Sequence, residues 1–197
     1  MGPSIYQCNL GSYRKWKIHL CREIRTQYQT HDDPNTGSHL VVLWRIPDFI
    51  RTVDGVDFHQ GLPDSDPREK HLIILDDLMD ETDQRVASLF TKKSHHRNIS
   101  VMYIVQNLFH RGKQHRTISL NAHYMVVFKN PRDVSQIMAL AHQMYPQRTK
   151  YFLEAYTAAT ARPHGYLVID MKQETPDILR LRSHIFPGEE QKAYADI

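Results

Sequence analysis

The run His71-Leu72-Ile73-Ile74-Leu75-Asp76-Asp77 constrains this chain more than any other stretch. Four consecutive apolar residues lead directly into two adjacent carboxylates. An apolar run without period-two alternation predicts a strand buried on both faces, the usual condition of a central strand in a parallel sheet. A buried strand excludes charge, so carboxylates belong at its carboxyl end, where open α/β sheets carry their ligand crevices. A strand that runs into an acidic turn, or whose Asp caps the next helix, gives the same letters. The run by itself does not choose between these readings.

The chain has 197 residues, 41% of them hydrophobic and 24% charged, which suits one domain, or two small ones, with a sizeable core. No stretch approaches the roughly 18 apolar residues of a membrane span, and the N-terminus shows no apolar signal core. Cys8 and Cys21 are the only cysteines and form no C-x-x-C pair. That argues against a disulfide framework or zinc ribbon and predicts an intracellular setting. The net charge of +3 is unevenly placed. From Gln84 through Arg132 there is no Asp or Glu, while Arg85, Lys92, Lys93, Arg97, Arg111, Lys113, Arg116, Lys129 and Arg132 all fall there. The remainder of the chain is net acidic. An acid-free basic segment directly after the Asp76-Asp77 strand suggests a surface for phosphates, of a nucleotide or of a nucleic-acid backbone. A solvated basic face without a ligand is the alternative. His95, His96, His110 and His115 share the window, but no HxxxH or Cys/His spacing of a metal site accompanies them.

Along the chain, residues 1–39 are the least readable. Gly2-Pro3-Ser4 and Gly11-Ser12 are turn-like, Ile18 to Tyr28 has helical spacing, and Thr30 to Ser38 reads as a loop. His39 to Trp44 predicts a strand stopped by Pro47, residues 47–55 a short helix, and Val56 to His59 a short extended piece. After the His71–Asp76 strand, Glu81 to Lys93 places Val86, Leu89 and Phe90 on one helical face. Ile99 to Gln106 is a second buried-type strand, ending on Gln106-Asn107, which would lie beside Asp76-Asp77 if the two strands are neighbours. These amides serve either to complete a turn or to contact a ligand. Arg116 to Ala122 is a short helix and His123 to Phe128 a third strand of this kind. A helix opens at Pro131 and runs to about Tyr145, with Ile137, Leu140, Ala141 and Met144 on one face. Lys150 to Ala161 is another helix, and Gly165 to Asp170 another strand. Leu179 to Phe186 alternates apolar and basic residues, which predicts a more exposed edge strand before a loose tail. Strands alternating with helical patterns imply a parallel or mixed sheet covered by helices.

Several spaced motifs in this order resemble one family. They are LIILDDLMDE (72–81), LFTKKSHHRNISVMYIVQNLF (89–109), RTISLNAHYMVVFKNPRD (116–133), and the Gly165–Asp170 strand followed by LRLRSHIFP. Together they are similar to the packaging-ATPase branch of the FtsK/HerA superfamily, most of all to the ATPases of Maverick/Polinton elements and adintoviruses. The resemblance covers about residues 40 to 187. It implies an α/β, P-loop NTPase-like (ASCE/RecA-like) fold with a mostly parallel sheet flanked by helices. It implies a homo-oligomeric ring that hydrolyses ATP to drive double-stranded DNA into a viral capsid. By position, Asp76 would hold the Mg²⁺ of MgATP as the Walker B acid, Asp77 would be the catalytic acid, and Gln106 the sensor. Arg97 would be the arginine finger, with Arg111 the weaker choice. Lys92, Lys93, Arg111 and Lys113 would contact the DNA backbone.

The chain departs from the family at one place. A phosphate loop G-x-x-x-x-G-K-[ST] supplies backbone N–H groups, a Lys and a hydroxyl to the phosphates and metal. No Gly-Lys-Ser or Gly-Lys-Thr occurs, and Gly112-Lys113 is followed by Gln and lies beyond the Gln106 strand. Gly2-Pro3-Ser4 resembles the opening of such a loop, but Ile5-Tyr6-Gln7-Cys8 follows. The expectation is therefore a missing or degenerate first strand and phosphate loop. Residues 1–39 would be a degenerate or replaced segment, 40–187 the ATPase core, and 188–197 a tail. ATP binding would be weak or absent and the motor impaired. The alternative is a non-catalytic DNA- or protein-interaction remnant of an integrated viral or transposon ATPase. A metal-dependent nuclease using Asp76 and Asp77 needs acids converging from another element, and the following 49-residue window supplies none.

Overall fold

The computed structural model describes residues 5–9, 38–43, 56–59, 70–76, 84–93, 99–110, 113–186 and 188–195. The predicted helices at Ile18–Tyr28 and 47–55 lie outside them, as does the whole segment between Leu10 and Gly37. The described strands are β1 (Ile5–Asn9), β2 (Ser38–Leu43), β3 (Val56–His59), β4 (Lys70–Asp76), β5 (Ile99–Val105), β6 (Tyr124–Phe128), β7 (Tyr166–Asp170), β8 (Leu181–Ser183) and β9 (Lys192–Tyr194). They form one sheet in the order β3-β2-β4-β5-β1-β6-β7-β8-β9. From β3 to β6 all pairs are parallel, and from β6 to β9 all are antiparallel.

The apolar runs sit where their composition requires. Leu72, Ile73, Ile74 and Leu75 of β4 are each at most 1% exposed, and every residue of β5 is buried. Such strands need cover on both faces, which the helices provide. Helix α1 (Gln84–Ser88) continues into a π-helical turn (Leu89–Lys93) that buries Leu89 and Phe90. Helix α2 spans Lys113–Asn121 and buries His115 and Ile118. Helix α3 (Val134–Met144) buries Gln136, Ile137, Leu140 and Ala141, and helix α4 (Thr149–Ala159) buries Phe152, Ala155 and Ala159. Phe152, Ala155 and Ala159 join Leu167 and Ile169 of β7 and Leu181 of β8 in the same core cluster as β4 and β5.

Two expectations are revised. Of a missing or degenerate first strand, the first alternative is excluded: Ile5–Asn9 forms β1 in the middle of the sheet, facing Val101–Val105 of β5 on one side and Tyr124–Val127 of β6 on the other. Its sequence, IYQCN, carries no apolar run. A strand with two partners is held by main-chain ladders on both edges, whatever its side chains say. The segment Leu179–Phe186 is not an edge strand either. Its paired part is Leu181–Ser183, and β9, from the expected tail, covers it on the outer side. The alternation was legible, since Leu181 and Ser183 are buried while Arg182 is half-buried. The short partner Lys-Ala-Tyr carries no strand signal of its own.

Candidate nucleotide edge

The parallel register brings the carboxyl ends of four strands to one edge. Asp76 at the end of β4 faces Ile104 of β5, Ile104 faces Cys8 of β1, and Cys8 faces Val126 of β6. One step further on, Val105 faces Asn9, and Asn9 faces Val127. With neighbouring strands about 4.8 Å apart, the main chain of Asp76 lies about 10 Å from that of Cys8. Strand order reverses at β1. The chain leaves β1 for β2 on the far side of β4 and β5, and later passes from β5 over β1 to β6. Such a topological switch point opens a crevice at the carboxyl ends of the strands. The residues that follow β1 in sequence, Leu10-Gly11-Ser12-Tyr13-Arg14-Lys15, lie outside the described residues.

Of the sequence-predicted site residues, Asp76 and Gln106 are brought to this edge. Asp76 is the last residue of β4, and Gln106 directly follows β5 on the neighbouring parallel strand with its side chain exposed. The condition that the two strands be neighbours is therefore met. Lys113 opens α2 and is exposed, and Lys92 and Lys93 close the π-helical turn. Asp77, Arg97 and Arg111 lie outside the described residues, as do the side chains of Asp76, Lys92 and Lys93.

The turn after β5 is tightly specified. The Asn107 side-chain Oδ1 accepts the N–H of Phe109 at 2.9 Å, and the buried N–H of Leu108 donates to Oε1 of Gln136 at 2.7 Å. Gln136 in turn donates from Nε2 to Oδ2 of Asp133, and the Ser135 hydroxyl donates to Oδ1 of the same carboxylate. These two donors, Ser135 first, hold the Asp133 carboxyl below the ordinary carboxylate range. Below the edge, Tyr103 of β5 meets Phe90 of the π-helical turn edge-on, at 6.1 Å between ring centroids, and His115 of α2 at 6.0 Å. His115 also meets His110 at 4.7 Å. This aromatic row fastens two covering helices to the strand that carries Gln106.

Gln136 is the residue that the sequence reading passed over. The signal was present. Gln136 sits one turn before Leu140 on the apolar side of α3, where a buried amide has to find partners.

No family model and no curated protein sequence matches this chain. Solved structures do match. They include the genome packaging NTPase B204 from Sulfolobus turreted icosahedral virus 2 in complex with ATP-gammaS (TM-score 0.56) and the same protein in complex with AMPPCP (TM-score 0.57). In both the identity is 9%, and the match covers 99% of this chain and 98% of that one. At this identity the likeness is one of fold: an α/β sheet with helices, matched over nearly the whole length of both chains. Among the described residues, no helix is long and apolar enough to cross a membrane.

Proposed function

We propose that this chain is an ATPase of the DNA-packaging type, of the FtsK/HerA kind seen in Maverick/Polinton elements and adintoviruses, with a weakened nucleotide site. The observation that carries the reading is the shared edge: Asp76, Gln106 and the end of β1 lie on three adjacent parallel strands at the switch point. A fold matched to a genome packaging NTPase crystallised with ATP analogues supports it. In this reading the segment Leu10–Lys17 takes the place of the phosphate loop. It offers Gly11, Ser12, Arg14 and Lys15 but not the Gly-Lys-Ser/Thr order, so triphosphate affinity is low.

Carboxylates are hard oxygen donors and suit Mg²⁺, and Asp76 is the residue that would hold it. When bound, Mg²⁺ neutralises charge on the phosphates. Asp77 then orients and deprotonates the attacking water, and Gln106 donates its amide to the terminal phosphate or to that water. Arg97 reaches a neighbouring protomer's nucleotide in a ring. Lys92, Lys93, Arg111 and Lys113 hold the phosphates of double-stranded DNA as it passes towards a capsid.

Calorimetry with MgATP tests the reading. Weak binding to the chain, reduced about tenfold or more by Asp76→Ala, is expected, since removing a metal ligand costs at least that much. Equal binding by both, or binding by neither, overturns it. The absence of Gly-Lys-Ser/Thr favours a second reading, a non-catalytic DNA-binding module, and duplex binding without nucleotide binding would establish that one.

A further inference from the structure

Leu108 is only 5% exposed, and its N–H has left the β5 ladder, so the turn must supply a partner for it. That partner comes from a side chain 28 residues further on, Gln136 of α3. The amide of Gln136 is used at both ends: Oε1 accepts from Leu108 and Nε2 donates to Asp133. The N–H of Leu108 can only donate and the Asp133 carboxylate only accept, so a single orientation of the amide satisfies both. The link has a particular place in the topology. The turn leaves β5, α3 follows β6, and β1 lies between these two strands. The Gln136–Leu108 bond thus joins the segments that leave the two strands flanking β1, at the edge where the crevice opens.

We infer that Gln136 is a positioning residue for Gln106, holding the turn after β5 so that the Gln106 amide is aimed at the reacting phosphate. The inference rests on the ATPase reading above. Asn107 secures part of the turn through its own bond to Phe109, and Gln136 tethers the turn over a long range from α3. A group that aims another contributes to the transition state rather than to substrate affinity, because misplacement by an ångström is felt chiefly in the chemical step.

The test measures steady-state ATP turnover together with amide exchange of residues 106–110 and thermal melting. The proteins are the full chain, Gln136→Met, Gln106→Ala, the combination of these two, Gln136→Glu, and Gln136→Glu with Asp133→Asn. Gln136→Met should lower kcat about tenfold or more with KM within about twofold, and raise exchange in the turn. Combined with Gln106→Ala it should cost no more than Gln106→Ala alone, because the two residues act as one unit. Gln136→Glu keeps the acceptor for Leu108 but sets two carboxylates together. Adding Asp133→Asn restores a donor opposite an acceptor and should recover kcat. A turn that loosens while kcat is unchanged, additive losses with Gln106→Ala, or no rescue by the Asp133→Asn swap would each overturn the positioning role and leave the ATPase reading intact. A wild-type chain that binds and turns over no MgATP overturns the ATPase reading itself, and this inference with it.

Discussion

Breaking the ion pair between Asp170 and Arg182 should destabilise the fold strongly while leaving the proposed nucleotide edge untouched. The carboxylate lies at the end of β7 with its side chain 4% exposed, and Nη2 of Arg182 on β8 donates to Oδ2 at 2.8 Å. Oδ1 of Asp170 is already taken by the N–H of Lys172 at 3.1 Å. Arg182→Met therefore leaves a buried carboxylate with one neutral hydrogen bond and no ion-pair partner in contact, the Lys172 ammonium acting on it only from further off. Removing one partner of a buried pair costs about 3–5 kcal/mol. The Arg182 side chain is 24% exposed, and its Nε has no hydrogen-bond partner among the described residues. Both features weaken the native pair, so the lower end, about 3 kcal/mol, is expected. For a chain of this size that corresponds to a fall in Tm of about 6–12 °C. Replacing both partners, Asp170→Asn with Arg182→Met, removes the buried charge and should recover about half of the loss. Urea unfolding of the four proteins of the cycle, with MgATP binding measured alongside, makes the comparison. The function should not move, for a topological reason. β7 runs antiparallel to β6, and Asp170 faces Tyr124, the first residue of β6. Its end therefore lies at the sheet edge opposite Asp76 and Gln106. A loss below about 1 kcal/mol, the value of an exposed pair, would refute the assigned burial energetics. A change in nucleotide affinity at unchanged stability would refute the separation of the two edges.

Three further outcomes follow from specific contacts. Gly165 closes the connection from α4 to β7, and a Cβ there would lie 2.5 Å from the carbonyl oxygen of Ala159. Gly165→Ala should therefore cost about 1–3 kcal/mol in chemical denaturation, and an unchanged midpoint would contradict it. The Tyr166 hydroxyl is pushed well above its ordinary pKa, chiefly by burial and then by its 2.8 Å bond to Glu189. The folded state thus holds this proton more tightly than the unfolded chain. The associated stability is complete below about pH 10, where the unfolded phenol begins to ionise, and declines as pH rises towards the folded value. Tyr166→Phe should flatten the alkaline limb of the stability profile, and an identical limb in both proteins would exclude Tyr166 as its source. Lys113→Ala should reduce the slope of log affinity for duplex DNA against log salt by about one. An unaltered slope removes Lys113 from the DNA surface.

What could be read from the sequence depended on whether a strand's position is fixed by its side chains or by its partners. β4, β5 and β7 are buried on both faces, and the apolar runs Leu72–Leu75, Val101–Val105 and Tyr166–Ile169 state it. β1 and β9 are held by ladders to neighbours, and IYQCN and KAY give no pattern to find. Strand direction was also out of reach. Gly165–Asp170 ends on an acid just as His71–Asp76 does, yet one end faces the crevice edge and the other the opposite edge, because only the pairing register sets direction. The π-helical turn at Leu89–Lys93 escaped as well, since Val86, Leu89 and Phe90 satisfy ordinary helical spacing. Gln136 was lost among its apolar neighbours, and its partner lies 28 residues away.

The place of β1 in the sheet divides the proposed nucleotide site into two physical parts. One part is placement. The ladders on both sides of β1 set Asp76, Ile104 and Cys8 in one row and make the switch point at the end of β1 a property of the backbone. This part tolerates an unpatterned sequence, because main-chain hydrogen bonds ask nothing of the side chains beyond avoiding proline. The other part is affinity, which is chemical. It depends on which residues follow β1, and Leu10–Lys17 lacks the Lys and hydroxyl pair in the usual order. Each tenfold in affinity is about 1.4 kcal/mol, so a few lost phosphate contacts remove several orders of magnitude without disturbing the sheet. The two parts can therefore be separated by experiment. Substituting a Gly-Lys-Thr order into Leu10–Lys17 should raise MgATP affinity at least about a hundredfold, that is by about 2.7 kcal/mol, if the backbone already presents the crevice. No gain in a variant that melts like the parent would mean that the path after β1 does not lead to the Asp76 edge, and the shared row of strand ends would lose its functional meaning.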